Sequence, residues 1–356
     1  MKRFAIIILA TTALLATPGA STPSIKNGQL VEPLKKTFDD YVKGEQNLAY
    51  AIQKNMIGEL FSHAISIHVS QHMDLPTKAV PLIDYFTSRR VVTADGRMAS
   101  ILYHEQVKER LGGDARLLRG QYIAWQEQYP DSAVPIVFTA SNMLSAHASP
   151  LREALVSLAP VEGVEFDRAK VDEVRTYLLT NKAKGSKDPY WYNLMVETQI
   201  FLRVSEAELK STVAEGLTLY PENIDLPVLA ASYYFTKWGG VAAKLDGYAK
   251  WVVSQSPGKG RANAYPRIYN QALRGQYGLT LFKLVSKDWP LMTRGVEHLM
   301  AAYPDKGNRA WASVLTCLAG DRALTRTLMA VDDFNTNLTV WIDRDAKSLC
   351  RNWARS

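Results

Sequence analysis

The sequence predicts an all-α protein built from antiparallel helix pairs that stack on one another. Three observations point there. From about Asp188 onward the apolar residues recur at helical spacing: Leu209, Val213, Gly216, Leu217 and Tyr220 fall on one face, as do Met292, Val296, Leu299, Met300 and Tyr303. Helix ends are marked by a repeated Tyr-Pro-acid tripeptide, at Tyr129-Pro130-Asp131, Tyr220-Pro221-Glu222 and Tyr303-Pro304-Asp305, because proline cannot continue a helix and disfavours a helical residue before it. Period-2 alternation is scarce, and the strand-like run from Ala133 to Phe138 contains Pro135, so it reads as the start of a helix. The 356 residues are 47% apolar and 22% charged, with two cysteines. Those proportions exclude a disordered chain, a collagen-like repeat and a disulfide-stapled miniprotein.

Residues 1–21 have the layout of a secretory signal peptide. Lys2 and Arg3 precede an apolar run from Phe4 to Leu15, and the small residues Ala16, Gly19, Ala20 and Ser21 follow. The run is short of the roughly 20 residues that a membrane span needs, and no later stretch reaches that length without a charge or a proline. A periplasmic or secreted protein with no transmembrane segment after cleavage is therefore expected. Without Lys2 and Arg3 the net charge falls from +7 to +5, with 40 basic residues against 35 acidic. The excess is spread thinly, with no run of five or six like charges, so no nucleic-acid partner is expected.

Residues 22–120 are expected to form an N-terminal helical cap. Leu34 to Phe61 reads as one or two helices, Pro76 and Pro81 interrupt the next segment, Asp95-Gly96 marks a turn, and Gly112-Gly113 marks a boundary. Residues 121–334 read as the array of helix pairs. Asp188-Pro189 is an N-cap followed by proline in the first turn. Ser205 and Glu208 form a capping box. Asp288 and Pro290 open a further helix, and Gly320-Asp321 ends one helix and caps the next. Val241, Leu245, Tyr248, Ala249, Val252 and Val253 again share a helical face. Residues 335–356, with Leu338, Trp341, Ile342, Leu349 and Trp353, are expected to cap the far end.

The unit between Pro189 and Pro221 is close to 34 residues long, and Trp191 and Leu194 stand at Trp-x-x-Leu spacing. On these features the segment from Gln121 to Tyr303 resembles tetratricopeptide-type helical repeat proteins, although Met195 replaces the glycine of that motif. The resemblance implies a short superhelix with a concave face that docks peptides or proteins. Asp95-Gly96, Tyr103, Trp125, Tyr129-Pro130-Asp131-Ser132 and Lys237-Trp238-Gly239-Gly240 also resemble an uncharacterised family of secreted bacterial helical proteins. That second likeness implies no catalytic residues.

Tyr190, Trp191, Tyr192, Tyr233 and Tyr234 are the candidate groove residues, because they cluster in the first helices of the units, where a groove would be lined. Trp238, Gly239 and Gly240 are read as a helix junction, with the glycines turning the chain and the indole plugging the joint. Cys317 and Cys350 are either one disulfide or two buried thiols. His63, His68 and His72, with Asp74, are weak metal candidates, since no glutamate follows His68 in the manner of a zinc protease. Ser256 and Lys259 have Ser-x-x-Lys spacing, but Pro257 and Gly258 lie between them and the companion motifs are missing. Asp39-Asp40 and Asp332-Asp333 are adjacent pairs that diverge on a helix. Glu105 and Glu197 are the carboxylates a glycan hydrolase would assemble from a distance. No cofactor is expected. The reading is a non-catalytic module of the bacterial cell envelope that binds a protein or peptide, with a glycan-acting hydrolase or a small-molecule or metal-binding periplasmic protein as alternatives. The oligomeric state is left open.

Overall fold

The computed structural model describes residues 75–93, 95–110, 124–255, 261–330 and 344–356. The segment 1–21, the three histidines, Ser256, Lys259 and both adjacent aspartate pairs lie outside the described residues. Among those described, the ordered elements are helical, and the sole extended pairing is an isolated antiparallel bridge between Val92 and Met98. No described helix is long and apolar enough to cross a membrane.

The first two helices, α1 (Leu75–Arg89) and α2 (Ala99–Arg110), pack together as a hairpin. α3 (Val134–Leu155) starts with Pro135 in its first turn and bends where Ala148 leaves helical geometry just before Pro150. There follow α4 (Arg168–Thr180), α5 (Pro189–Leu202), α6 (Glu206–Leu219), α7 (Asp225–Ala230), α8 (Leu245–Ser254), α9 (Ala264–Ala272), α10 (Trp289–Ala302), α11 (Lys306–Leu318), α12 (Arg322–Met329) and α13 (Arg344–Arg355). Several start where a short polar side chain can take an orphan amide: Asp167, Asp188, Ser205, Asp288, Asp305 and Asp321 each accept a backbone N–H of the first turn.

The odd-numbered helices α3, α5, α7, α9 and α11 pack each on the next. The intervening helices close against this row: α4 against α3 and α5, α6 against α5 and α7, α8 against α9, and α10 against α9 and α11. α5 sits at the centre, and all 14 of its residues are buried. Burying each large apolar side chain contributes roughly 1.5–3 kcal/mol, so this one helix anchors much of the core.

The described part of the N-terminal region packs on α3, the first helix of the row, and also runs along its side. α1 packs on α3, α2 packs on α3 and α5, and their connection reaches Asp225 and Asn308 far down the chain. At the other end, Leu349 and Trp353 belong to the segment expected to form a cap. They are 68% and 37% exposed, because α13 turns Cys350 and Ala354 inward instead. Cys350 is bonded to Cys317 on α11, which ties α13 to the body.

The chain between α7 and α8 is also less regular than the spacing suggests. The helix breaks into short 3-10 turns at Ala231–Tyr234, Thr236–Trp238 and Ala242–Lys244, and Val241 is exposed. Gly239 takes left-handed geometry (φ 72°), which glycine adopts without a steric cost. Gly240 lies against the preceding turn, where a Cβ would come within 2.3 Å of the Tyr234 carbonyl carbon and 2.5 Å of the Tyr233 oxygen. Those are backbone atoms and cannot swing aside. Gly240→Ala is therefore expected to destabilise the protein by about 2 kcal/mol, whereas Gly247→Ala, with open space at its Cβ, gains a few tenths from helix propensity. Urea midpoints of the two variants check the contrast.

Candidate functional site

Four of the five candidate groove aromatics are core residues. Tyr190 stacks on His104 with centroids 4.9 Å apart. Trp191 donates its indole N–H to the Leu178 carbonyl at 3.1 Å. Tyr192 donates its hydroxyl to Glu215 at 3.0 Å, and Tyr234 packs on Tyr248. α2 also packs against α5. Tyr233 alone is half-exposed. Its ring lies under the Arg203 guanidinium at 4.2 Å, and its hydroxyl donates to the Val204 carbonyl. At the junction, buried Trp238 packs on Phe201. Lys237 Nζ donates to the carbonyls of Ala154 (2.5 Å), Ser157 (2.7 Å) and Ala159 (3.3 Å), and so closes the C-terminal end of α3.

The chemistry-bearing side chains gather along a seam where the α1–α2 hairpin meets the beginnings of the odd-numbered helices. At the start of α3, the Asp84 carboxylate accepts from the Ser132 hydroxyl at 2.9 Å. At α5, Asp188 has two duties: Oδ1 accepts the Tyr190 N–H, and Oδ2 meets His104 Nε2 at 2.7 Å, with both side chains essentially inaccessible. At α7, Arg97 donates Nε to both oxygens of Asp225 (2.8 and 3.0 Å) and Nη2 to both oxygens of Glu105 (3.0 and 2.9 Å). Arg90, in left-handed geometry, reaches the Leu219 carbonyl at 3.0 Å and the Glu222 carboxylate. At α9 and α11, Arg267 and Asn308 both donate to the Asp95 carbonyl.

Burial opposes the Arg97 charge, but the Asp225 and Glu105 carboxylates outweigh it and hold its pKa well above the usual value. Glu105 feels the opposite balance. Burial raises its pKa even though 43% of its side chain is accessible and Arg97 pulls the other way. Nearby, Arg152 and Glu197 form a buried two-point ion pair (2.5 and 3.1 Å). Arg152 also reaches Ser141, Ser145 and the Tyr190 hydroxyl.

Asp84 makes the seam sensitive to pH. Burial pushes its carboxyl up to about 6 from the ordinary 3.8, against the smaller lowering by Ser132. The folded state therefore binds more protons than the unfolded state between about pH 4 and 6, so stability falls as pH rises through that window. The full shift corresponds to about 3 kcal/mol. Partial exposure reduces the expected effect to about 1–2 kcal/mol. Asp84→Asn is expected to recover that amount at pH 7 and to flatten the slope between pH 4 and 6. Equal urea midpoints for the two proteins at pH 7 would refute this.

The seam's carboxylates Asp225, Glu105 and Glu197 are each paired with a guanidinium, a charge-assisted arrangement that fixes the geometry of both partners. Among the described residues no group of His, Cys, Asp and Glu has the grouping of a metal site. Arg97, Arg152, Asp225, Arg267 and Asn308 were not singled out from the sequence; the only local hint was Asp225, an acid in a helix's first turn. No protein family, curated protein or solved structure matches the chain.

Proposed function

We propose that this protein is a non-catalytic, peptide- or protein-binding module of the bacterial cell envelope, folded as a short tetratricopeptide-like superhelix. One observation carries the reading: contacts between successive helix pairs recur at a repeat-like interval. Arg168 reaches the Leu202 carbonyl and Tyr220 the Ser186 carbonyl, each 34 residues away. Arg175 pairs with Glu208 and Lys182 with Glu215, each 33 away, and Trp289 with Asp321, 32 away. Intervals of 32 to 34 residues are the spacing that stacked helix pairs of this length would produce, and such a stack presents a continuous surface. The signal-like residues 1–21 support the envelope assignment. The glycan-hydrolase alternative has less support, because both of its candidate acids, Glu105 and Glu197, are held by arginines.

The test is selection of a displayed peptide library on the purified mature protein, followed by calorimetry on the enriched sequences. Dissociation constants of about 1–100 μM are expected, corresponding to roughly −5 to −8 kcal/mol. A library that enriches nothing beyond what an unrelated helical protein enriches sinks the proposal.

A further inference from the structure

The C-terminal end of the fold presents a helix with apolar side chains left in water. α12 and α13 pack together, and the Cys317–Cys350 bond fixes α13 to α11. Turning Cys350 and Ala354 inward leaves Leu349 and Trp353 on the accessible side, at i and i+4 and so about one helical turn apart. Leu349, at 68% exposure, is the most exposed large apolar side chain among the described residues.

Arginines frame this pair. Arg322 of α12 lies over the Trp353 ring, its guanidinium carbon 5.8 Å from the centroid, and donates to the Trp353 carbonyl and the Ser356 hydroxyl. Arg326 donates to the Ala354 carbonyl, and Arg355 is exposed on the last turn of α13. These acceptors are neutral, so the contacts hold α13 in place without cancelling the charge of the guanidiniums. Over the two helices the sequence places six basic residues and one acid, Asp345.

A tryptophan and a leucine bordered by arginines suit the boundary layer of a phospholipid bilayer. The indole and the aliphatic chain enter beside the headgroups, and the guanidiniums reach lipid phosphates. A second copy of the chain is a poor occupant, because the same face on both molecules sets arginine against arginine. A protein partner is a poor one too. A stable protein interface buries about 800 Å² per side around an apolar centre, and two apolar side chains with a cationic border fall short of that.

We propose that the α12–α13 face docks on an anionic phospholipid bilayer, with Leu349 and Trp353 entering the headgroup boundary and Arg322, Arg326 and Arg355 meeting the lipid phosphates. α13 then lies along the membrane surface and does not cross it. This goes beyond the peptide-binding reading and does not depend on it.

Co-sedimentation of the purified mature protein with vesicles tests this, with equal parts phosphatidylglycerol and phosphatidylcholine set against phosphatidylcholine alone. Partitioning onto the anionic vesicles is expected to be at least about tenfold stronger and to weaken as salt is raised. Leu349→Ser with Trp353→Ser is expected to lower it by at least about tenfold. If that double variant fails to fold, Leu349→Ser alone, at a solvent-facing position, takes its place with a loss of about fivefold. Equal partitioning onto the two kinds of vesicle overturns the proposal. Undiminished binding by a folded Leu349→Ser protein also overturns it, since general positive charge would then account for the attraction. A protein captured through Leu349 and Trp353, with no binding to vesicles, gives the face to a protein partner and overturns it as well. All three outcomes leave the peptide selection unaffected, so the two readings fail separately.

Discussion

Arg152→Met is expected to lower the unfolding free energy by about 3–5 kcal/mol, because it leaves the Glu197 carboxylate buried without its partner. The pair is 6% and 9% accessible, and its two contacts are 2.5 and 3.1 Å. The guanidinium also donates to the Ser141 carbonyl and the Ser145 hydroxyl, across the bend in α3. Methionine fills a similar volume but offers no donor, so six acceptor atoms on Glu197, Ser141, Ser145 and Tyr190 lose a partner together. The double variant Arg152→Met with Glu197→Leu removes both charges and is expected to recover most of the loss, since a well-packed apolar pair often matches a buried ion pair. Urea unfolding of the two single variants and the double gives the coupling energy. A double variant as unstable as the sum of the singles would show that the two side chains act independently.

Removing the Cys317–Cys350 bond is the second large effect. The two residues are 33 apart in sequence, and freeing a loop of that length gives the unfolded chain about 3–4 kcal/mol of conformational entropy. Cys317→Ser with Cys350→Ser is expected to lose that amount, with α13 the first element to open, because the bond is its covalent tie to α11. Its other anchors include Arg322 and Arg326, which donate to the carbonyls of Trp353 and Ala354. Reductant should lower the wild-type midpoint to that of the double serine variant and leave the variant unchanged. Wild-type and variant midpoints that coincide before reduction would refute the claim.

The sequence shows its local structure readily and its long-range chemistry poorly. The caps at Asp188, Ser205, Asp288 and Asp321 are readable because a capping side chain and its target amide lie within three residues. The same reading misplaces Tyr190, Trp191 and Tyr192. A helix covered on every side has no apolar stripe, so periodicity cannot say which ring faces a groove. The seam was invisible for another reason. Arg97 and Asp225 are 128 residues apart, and Asp95 and Asn308 are 213 apart. Nothing local distinguishes such partners from solvated charges. Glu105 and Glu197 were singled out as carboxylates, but the arginines that define their roles were not.

The complete enclosure of α5 limits how the molecule can be dissected. Stacked helical proteins are often trimmed a module at a time, because each module keeps one side for water and lends the other to a neighbour. Pro189–Leu202 keeps no such side. Any deletion that strips α2, α3 or α7 from it uncovers rings and aliphatic chains with no replacement cover. Breakpoints for a soluble fragment therefore belong beyond α9, and a fragment lacking the α1–α2 hairpin is expected to aggregate even when every following helix is retained.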